Sequence, residues 1–440
     1  EGEIVLKDQS VRISSPAVAT SLGIGMVYQH FMLVDELESV RNRLKIKKAG
    51  REGMLLYGTG AIDAEQEYEF FMHHDGDICV YVLARLSGEG TDREAKKGDL
   101  FLTDGEVRDI LRLNKKFKKF LLVLNVSGVV DLTPVKEVGN ILVLSQLGTP
   151  TGDVLADIIL GRQSPSGRLT TSWTTYSDYQ AIGQFGERDD TRYNEGIYVG
   201  YRYFDTVGIK PLFPFGYGLS FTEFETKFVD ISSDGSKITV QADVRNIGDR
   251  VGKEVVEAYL SCPWGRFDKP EKELCAHAKT GKLLPGGSER VTLSFDLAAH
   301  TTYDKQNAAY ILEAGEYLIY VGRDSRDCKL SAKITLDGEV TVRKVKNIGG
   351  EVDFEDYVPE KPERACTDGL PEVKLSAGDF SCETVSYERG KYDKVDSFIK
   401  DLTDDELIYM CIGNFDHVIE GKESDWPGNS VFGAVGETTK

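Results

Sequence analysis

Three hydrophobic rhythms follow one another along the chain. From about 77 to 173, short apolar runs alternate with stretches whose apolar residues recur every three or four positions. Ile78–Ala84 is almost unbroken, as a strand covered on both faces requires, and Phe120–Val126 and Ile141–Leu144 read the same way. Thr103-Asp104-Gly105-Glu106 is a capping box that predicts a helix burying Val107, Ile110 and Leu111. A second helix starts at Thr151 or Asp153 and carries Val154, Leu155, Ile158 and Ile159 at helical spacing. It closes at Gly161, where a left-handed residue costs least. Such alternation predicts an α/β sandwich domain, a mostly parallel sheet with helices packed on it.

From about 226 to 345 the period drops to two. Lys237–Val244, Arg290–Phe295 and Tyr317–Val321 alternate, with turns at Asp234-Gly235, Pro285-Gly286-Gly287 and Ala314-Gly315. Short strands at this spacing without helices between them predict an all-β sandwich. Residues 346–385 are acidic, proline-bearing and weakly periodic, the mark of a linker or a wrapping segment. Helical spacing returns in Lys391–Met410, where Val395, Phe398, Ile399, Leu402, Leu407 and Met410 share a face broken by a cap at Thr403. The expected organisation is a leader at 1–50, the α/β domain at 51–222, the β-sandwich at 223–345, a linker at 346–390 and a further element at 391–440.

Charge narrows the functional classes. The chain has 53 basic and 72 acidic residues, a formal charge of −19. Such a surface repels phosphates and anionic lipid, so neither nucleic acid nor a membrane is an expected partner. No apolar run reaches the ~18 residues of a membrane span. The 7 cysteines are scattered and form no CxxC pair, so no metal site is expected. Their odd number suits a reducing, cytoplasmic setting. The opening Glu1-Gly2, without Met, suggests a part of a longer gene product.

The candidate chemistry lies in Arg85-Leu86-Ser87-Gly88-Glu89-Gly90-Thr91-Asp92-Arg93. The segment leaves the carboxyl end of a predicted strand, where ligands bind in open α/β sheets. Glycines on either side of Glu89 let the backbone bend sharply and present its carboxyl. Asp92 and Arg93 are within reach to support the loop, as is Arg85 at its start. From spacing alone, a solvated surface loop is the favoured reading.

The loop and the segments after it resemble glycoside hydrolase family 3, the β-glucosidase family. Leu122–Gly128, Ile141–Gly148, Asp153–Gly161, Ser164–Leu169 and Trp173 fit its pattern. Glu195–Asp205 resembles its "IYVGYRYYD" element and Phe213–Phe221 its "FPFGYGLSYT" signature. The resemblance implies that Glu89 is the general acid/base of a retaining, exo-acting hydrolase. Its substrates would be oligosaccharides or aryl β-glycosides, with no metal or organic cofactor. Val244–Val256, Pro270–Leu274 and Leu284–Gly286 resemble the fibronectin type III-like domain that follows in many members. Asp401–Leu407 with Val431–Thr439 resembles the start of the family's (β/α)₈ barrel, in the permuted order that places the sandwich domains first. The family's nucleophilic aspartate would then lie on a barrel beyond Lys440 or on a partner chain, and a homo-oligomer is a further arrangement. Asp425-Trp426 resembles the nucleophile's "SDW" motif, but it lies ahead of Val431–Thr439 rather than at a late barrel strand and is expected to be a turn.

Gly25–Val34 resembles the Q-loop segment of ABC-transporter ATPases, but no GxxxxGK[ST] phosphate loop accompanies it. A carbohydrate-binding or assembly module without catalysis is the alternative to the hydrolase.

Overall fold

The computed structural model describes residues 4–6, 9–11, 24–29, 56–58, 78–85, 93–145, 147–148, 150–179, 191–348, 352–386, 397–411, 413–414 and 437–438. Two compact units divide at Thr384. In the first, the apolar runs at Ile78–Arg85, Lys119–Val126 and Ile141–Val143 are parallel strands. Alternate residues of the central strand serve opposite layers. Cys79, Tyr81 and Leu83 join Ile110, Leu113, Leu122 and Leu124 on one face. Val80 and Val82 join Val123, Leu144 and Leu155 on the other. Burial on both faces explains why the run has no polar alternation.

The sheet extends further towards the N-terminus than the expected domain boundary at 51. Ile24–Gln29 pairs with Ile78–Leu83, and Leu56–Gly58 pairs with Val27–Gln29. The stretch whose sequence resembles an ATPase segment therefore supplies a strand to this sheet. The helix Asp104–Lys116 starts at the expected capping box but buries Glu106, Asp109, Ile110 and Leu113, leaving Val107 and Leu111 half-buried against the core. The helix Thr151–Ile159 ends before Gly161, which has φ +69°. Its Leu155 is buried, but Val154 and Ile159 are exposed rather than part of the expected apolar face.

In the β-sandwich, Lys237–Asn246 buries Ile238, Val240, Ala242 and Val244 and turns the intervening residues outward. One sheet is ordered Ser288–Asp296, Lys237–Asn246, Phe224–Asp234. A second is ordered Glu273–Lys279, Val255–Ser261, Gly315–Gly322, Cys328–Leu336, Glu372–Leu375. The last strand runs parallel to its neighbour. Within the stretch expected to link or to wrap, residues 372–375 thus complete this sheet, and Glu383–Thr384 pairs with Arg343–Lys344 of a smaller sheet. Gly322 ends the Gly315–Gly322 strand where a Cβ would meet the Asp327 carbonyl oxygen and the Cys328 Cα and lie 2.8 Å from the Asp327 carbonyl carbon. These are backbone atoms that cannot swing aside. Gly322→Ala should cost about 1–3 kcal/mol. An unchanged urea midpoint for the sandwich would show that the 322–328 turn relaxes without strain.

Buried polar contacts join the α/β domain to the sandwich. Arg168 donates to the Gly218 carbonyl at 2.7 Å and pairs with Glu254. The Glu257 carboxyl lies directly against Gly216 (φ +82°), where no Cβ would fit, and accepts from Tyr259. Tyr201 stacks on Phe215 with ring centroids 4.4 Å apart and accepts from the Leu274 amide at 2.7 Å. Asp205 pairs with Arg326 at 2.6 Å and with Lys272 at 3.3 Å.

In the second unit, the helical stretch expected at 391–410 with a break at Thr403 is two helices among the described residues, Ser397–Lys400 and Asp404–Cys411. Thr403 caps the latter, with its amide donating to Glu406 at 2.8 Å. Asp425 lies outside the described residues.

Candidate active site

Across the parallel sheet the strands run 56–58, 24–29, 78–85, 119–126, 141–143. Numbered along the chain, that order is 2-1-3-4-5. The direction of progress reverses between the 24–29 and 78–85 strands. In open α/β sheets, the crevice outside the carboxyl ends at such a reversal is where ligands bind. Arg85 is the last residue of the 78–85 strand, opposite Val126. Arg85, from which the segment 86–92 continues, therefore stands at the switch point. Glu89 and Asp92 lie in that segment, outside the described residues, but both of its flanks are described.

Arg85 is 4% exposed. Its guanidinium donates to both carboxylate oxygens of Glu106, at 3.0 and 2.7 Å. It also donates to the Ala84 carbonyl at 2.8 Å and, through Nε, to the Asp99 carbonyl at 2.9 Å. Few other side chains could fill that many acceptors in fixed directions. Glu106 is 2% exposed and accepts in addition from the Thr103 amide at 2.8 Å, while its own amide donates to Thr103 Oγ1 at 3.1 Å. One carboxylate thus closes the helix cap and neutralises the arginine at the end of the neighbouring strand. Its place in the first helical turn further favours the negative charge.

On the far side of the loop, Arg93 Nε pairs with the Asp99 carboxylate, and Arg93 Nη2 donates to the Val129 carbonyl at 3.4 Å. The Glu94 amide donates to Asp99 Oδ2 at 2.6 Å. The two described arginines expected to support the loop are thus held by protein acceptors, and both contact Asp99. Sequence reasoning misses Asp99 and Glu106 as parts of this site. Glu106 is visible there only as a helix cap; nothing in the surrounding Lys97-Gly98-Asp99 marks the aspartate.

A cleft of about 490 Å³ opens beside this corner, lined by Lys97, Phe101, Asp104, Val107, Arg108 and Asp131. Its walls come from segments that follow the carboxyl ends of the 78–85 and 119–126 strands. Burial pushes the Cys79, Cys262 and Cys328 thiols up to about 12, which leaves them unreactive at neutral pH. Among the described residues no cluster of three metal-binding side chains occurs.

The model of the glycosyl hydrolase family 3 C-terminal domain matches residues 6–221. The chain carries that domain. The match begins well ahead of residue 24, in agreement with the strand drawn from the N-terminal stretch. A fibronectin type III-like model matches 254–325, within the β-sandwich. A β-glucosidase of Ruminococcus albus is 33% identical over 365 residues, covering 77% of this chain and 38% of that protein. β-Glucosidase A of Butyrivibrio fibrisolvens is 35% identical over 346 residues, covering 67% and 41%. Among solved structures, β-glucosidase 3B of Thermotoga neapolitana in complex with α-D-glucose superposes with a TM-score of 0.58 at 36% identity. That match covers 69% of this chain and 43% of the other. The family 3 domains here therefore span about two fifths of these relatives' length.

Proposed function

We propose that this chain supplies the general acid/base of a retaining β-glucosidase of family 3, with Glu89 in that role. The observation that supports the reading is the position of Arg85, four residues before Glu89, at the carboxyl end of the 78–85 strand and at the sheet's switch point. The β-glucosidase relatives support the substrate class, a terminal β-linked sugar of an oligosaccharide or an aryl glycoside.

Retaining hydrolysis uses two carboxyl groups about 5–5.5 Å apart and requires no metal. In the first step the nucleophilic carboxylate attacks the anomeric carbon, the glycosidic C–O bond breaks, and Glu89 gives its proton to the leaving oxygen. In the second step the Glu89 carboxylate takes a proton from water, whose oxygen displaces the enzyme's carboxylate. The first role requires Glu89 to hold a proton near neutral pH. The nucleophile is proposed to come from a (β/α)₈ barrel, on the same gene product or on a partner chain.

Glu89→Gln tests this directly. The chain alone is expected to leave an aryl β-glucoside intact and to support hydrolysis once a family 3 barrel is supplied. With the barrel present, Glu89→Gln should lose about 10²–10⁴-fold in kcat on cellobiose. The loss should be far smaller on a dinitrophenyl glucoside, whose leaving group needs no proton. Added azide should restore turnover and yield a β-glucosyl azide, because an anion needs no general base. Equal activity of variant and parent on cellobiose would remove Glu89 from the mechanism and favour an assembly or sugar-binding role.

A further inference from the structure

We infer that residues 353–367 form a strap that holds the 192–198 turns of the family 3 domain to the β-sandwich, with Tyr357 as its pin. The strap arises from topology. Cys328–Leu336 and Glu372–Leu375 are parallel neighbours, which no tight hairpin can join, so the chain between them must cross back. Residues 352–371 complete that crossing without helix or strand. Pro359 and Pro362 lack the donors a strand needs and fix their own φ, so seating the strap orders a chain that is already stiff. Its second half is fixed to the sandwich. Lys361 pairs with Asp268 at 2.6 Å, Arg364 donates to the Glu316 carbonyl at 2.8 Å, and both cations lie over the Trp264 ring. Thr367 Oγ1 donates to the Glu316 carboxylate at 3.0 Å.

The first half of the strap meets the turns. The Tyr357 amide donates to the Asn194 carbonyl at 2.6 Å. The Asp356 side chain lies against Gly196 (φ +54°), where a Cβ would stand 3.4 Å from its Cγ. Asp353 pairs with Arg192 at 3.0 Å, an exposed contact of small weight. The Tyr357 ring packs on a small core of Tyr198, Tyr203 and Phe204, edge to face with both tyrosines at centroid distances of 6.0 Å. That core is separate from those of the parallel sheet and of the sandwich. Tyr179 touches it at Phe204 from the α/β domain, and Tyr357 closes it from beyond the sandwich strands. The helix Tyr201–Thr206 has its own ties to the sandwich, through the Tyr201 hydroxyl and Asp205. The turns before it bury little: Tyr193, Ile197 and Val199 are exposed and Tyr198 is buried. Local bonds such as that from the Tyr198 amide to the Glu195 carbonyl, at 2.9 Å, contribute less than the backbone entropy they cost. Order in 192–198 therefore depends on the strap. The family 3 match ends at 221, yet its 192–198 turns are closed by a residue at 357.

Hydrogen exchange in the 440-residue chain tests this, with Tyr357→Ala and Tyr357→Phe set beside the parent. Tyr357→Ala should accelerate exchange in 193–199 at least about tenfold, and the amide of residue 357 should lose its protection. Peptides 119–126 and 255–261, one from each domain's sheet, should stay within about twofold of the parent. Tyr357→Phe keeps the ring and should stay within about twofold everywhere. Coupling is reciprocal, so Tyr203→Ala, which opens the same small core from the other side, should free the 355–358 amides. Unchanged exchange of 193–199 in Tyr357→Ala overturns the inference. Equal acceleration of 119–126 and 255–261 overturns it too, because the tyrosine would then support the whole fold rather than these turns. A Tyr357→Phe chain as loose as Tyr357→Ala does the same, since ring packing would not be what holds them. None of these readouts involves Glu89, so the strap stands or falls apart from the catalytic reading.

Discussion

Replacing Glu106 with alanine should destabilise the α/β domain by about 3–5 kcal/mol, because it strands a buried guanidinium. The Arg85 side chain is 3% exposed and directs two of its donors at Glu106. Without the carboxylate those donors face protein, not water. The Thr103 amide loses its acceptor as well. Two comparisons separate the contributions. Thr103→Ala removes the reciprocal half of the cap and should cost only about 1 kcal/mol. Arg85→Met combined with Glu106→Leu removes both charges and should be milder than Glu106→Ala alone, because no ion is left unpaired. Urea unfolding of the whole chain is the measurement, with the α/β transition moving and the sandwich transition staying in place. If Glu106→Ala cost no more than Thr103→Ala, the ion pair would carry no structural weight.

The second large effect concerns pH and the contact between the two domains. Glu257 is 4% exposed, and burial, with Asp324 adding to it, pushes its carboxyl up to about 7 from an ordinary 4.5. The Tyr259 hydroxyl and the Arg168 charge pull the other way without overcoming burial, and Arg168 is already engaged by Glu254. Between about pH 4.5 and about 7, then, the folded chain keeps a proton that the unfolded chain has released. Stability falls as pH rises through that window and levels off above it. The whole change is roughly 3 kcal/mol. Glu257→Gln should abolish this slope while keeping an acceptor for Tyr259. Exposed carboxylates held low by arginines, such as Asp243 beside Arg290, act with the opposite sign and at lower pH. The comparison therefore rests on urea midpoints of parent and Glu257→Gln from about pH 5 to 8. Parallel profiles would mean that Glu257 is ionised in the folded protein throughout.

Much of the architecture was legible because its periodicities are strong. The unbroken run at 78–84 could only be a strand covered on both faces, and Cys79, Tyr81 and Leu83 lie in one layer with Val80 and Val82 in the other. The alternation at 237–244 likewise maps directly onto Ile238, Val240, Ala242 and Val244 in the sandwich core. What escaped was pairing at a distance. Ile24–Gln29 is too short to declare its partner, and its likeness to an ATPase segment carries no trace of its place beside the 78–85 strand. The capping box accounted for Glu106 locally, which concealed its bond to a residue 21 positions earlier. Val154 and Ile159 have the spacing of a buried face, yet only Leu155 of that helix reaches the core. The site was legible as the loop; what anchors it was not, since a main-chain carbonyl such as that of Asp99 has no signature in a sequence.

The parallel strand at Glu372–Leu375 has a consequence for the order of biosynthesis. Its partner, Cys328–Leu336, leaves the ribosome about 36 residues ahead of it, with one row of backbone donors and acceptors unmet. The sandwich therefore waits, with an edge open to any neighbouring nascent chain, until the segment past Pro371 emerges and closes it. Maturation of this domain is timed by its tail.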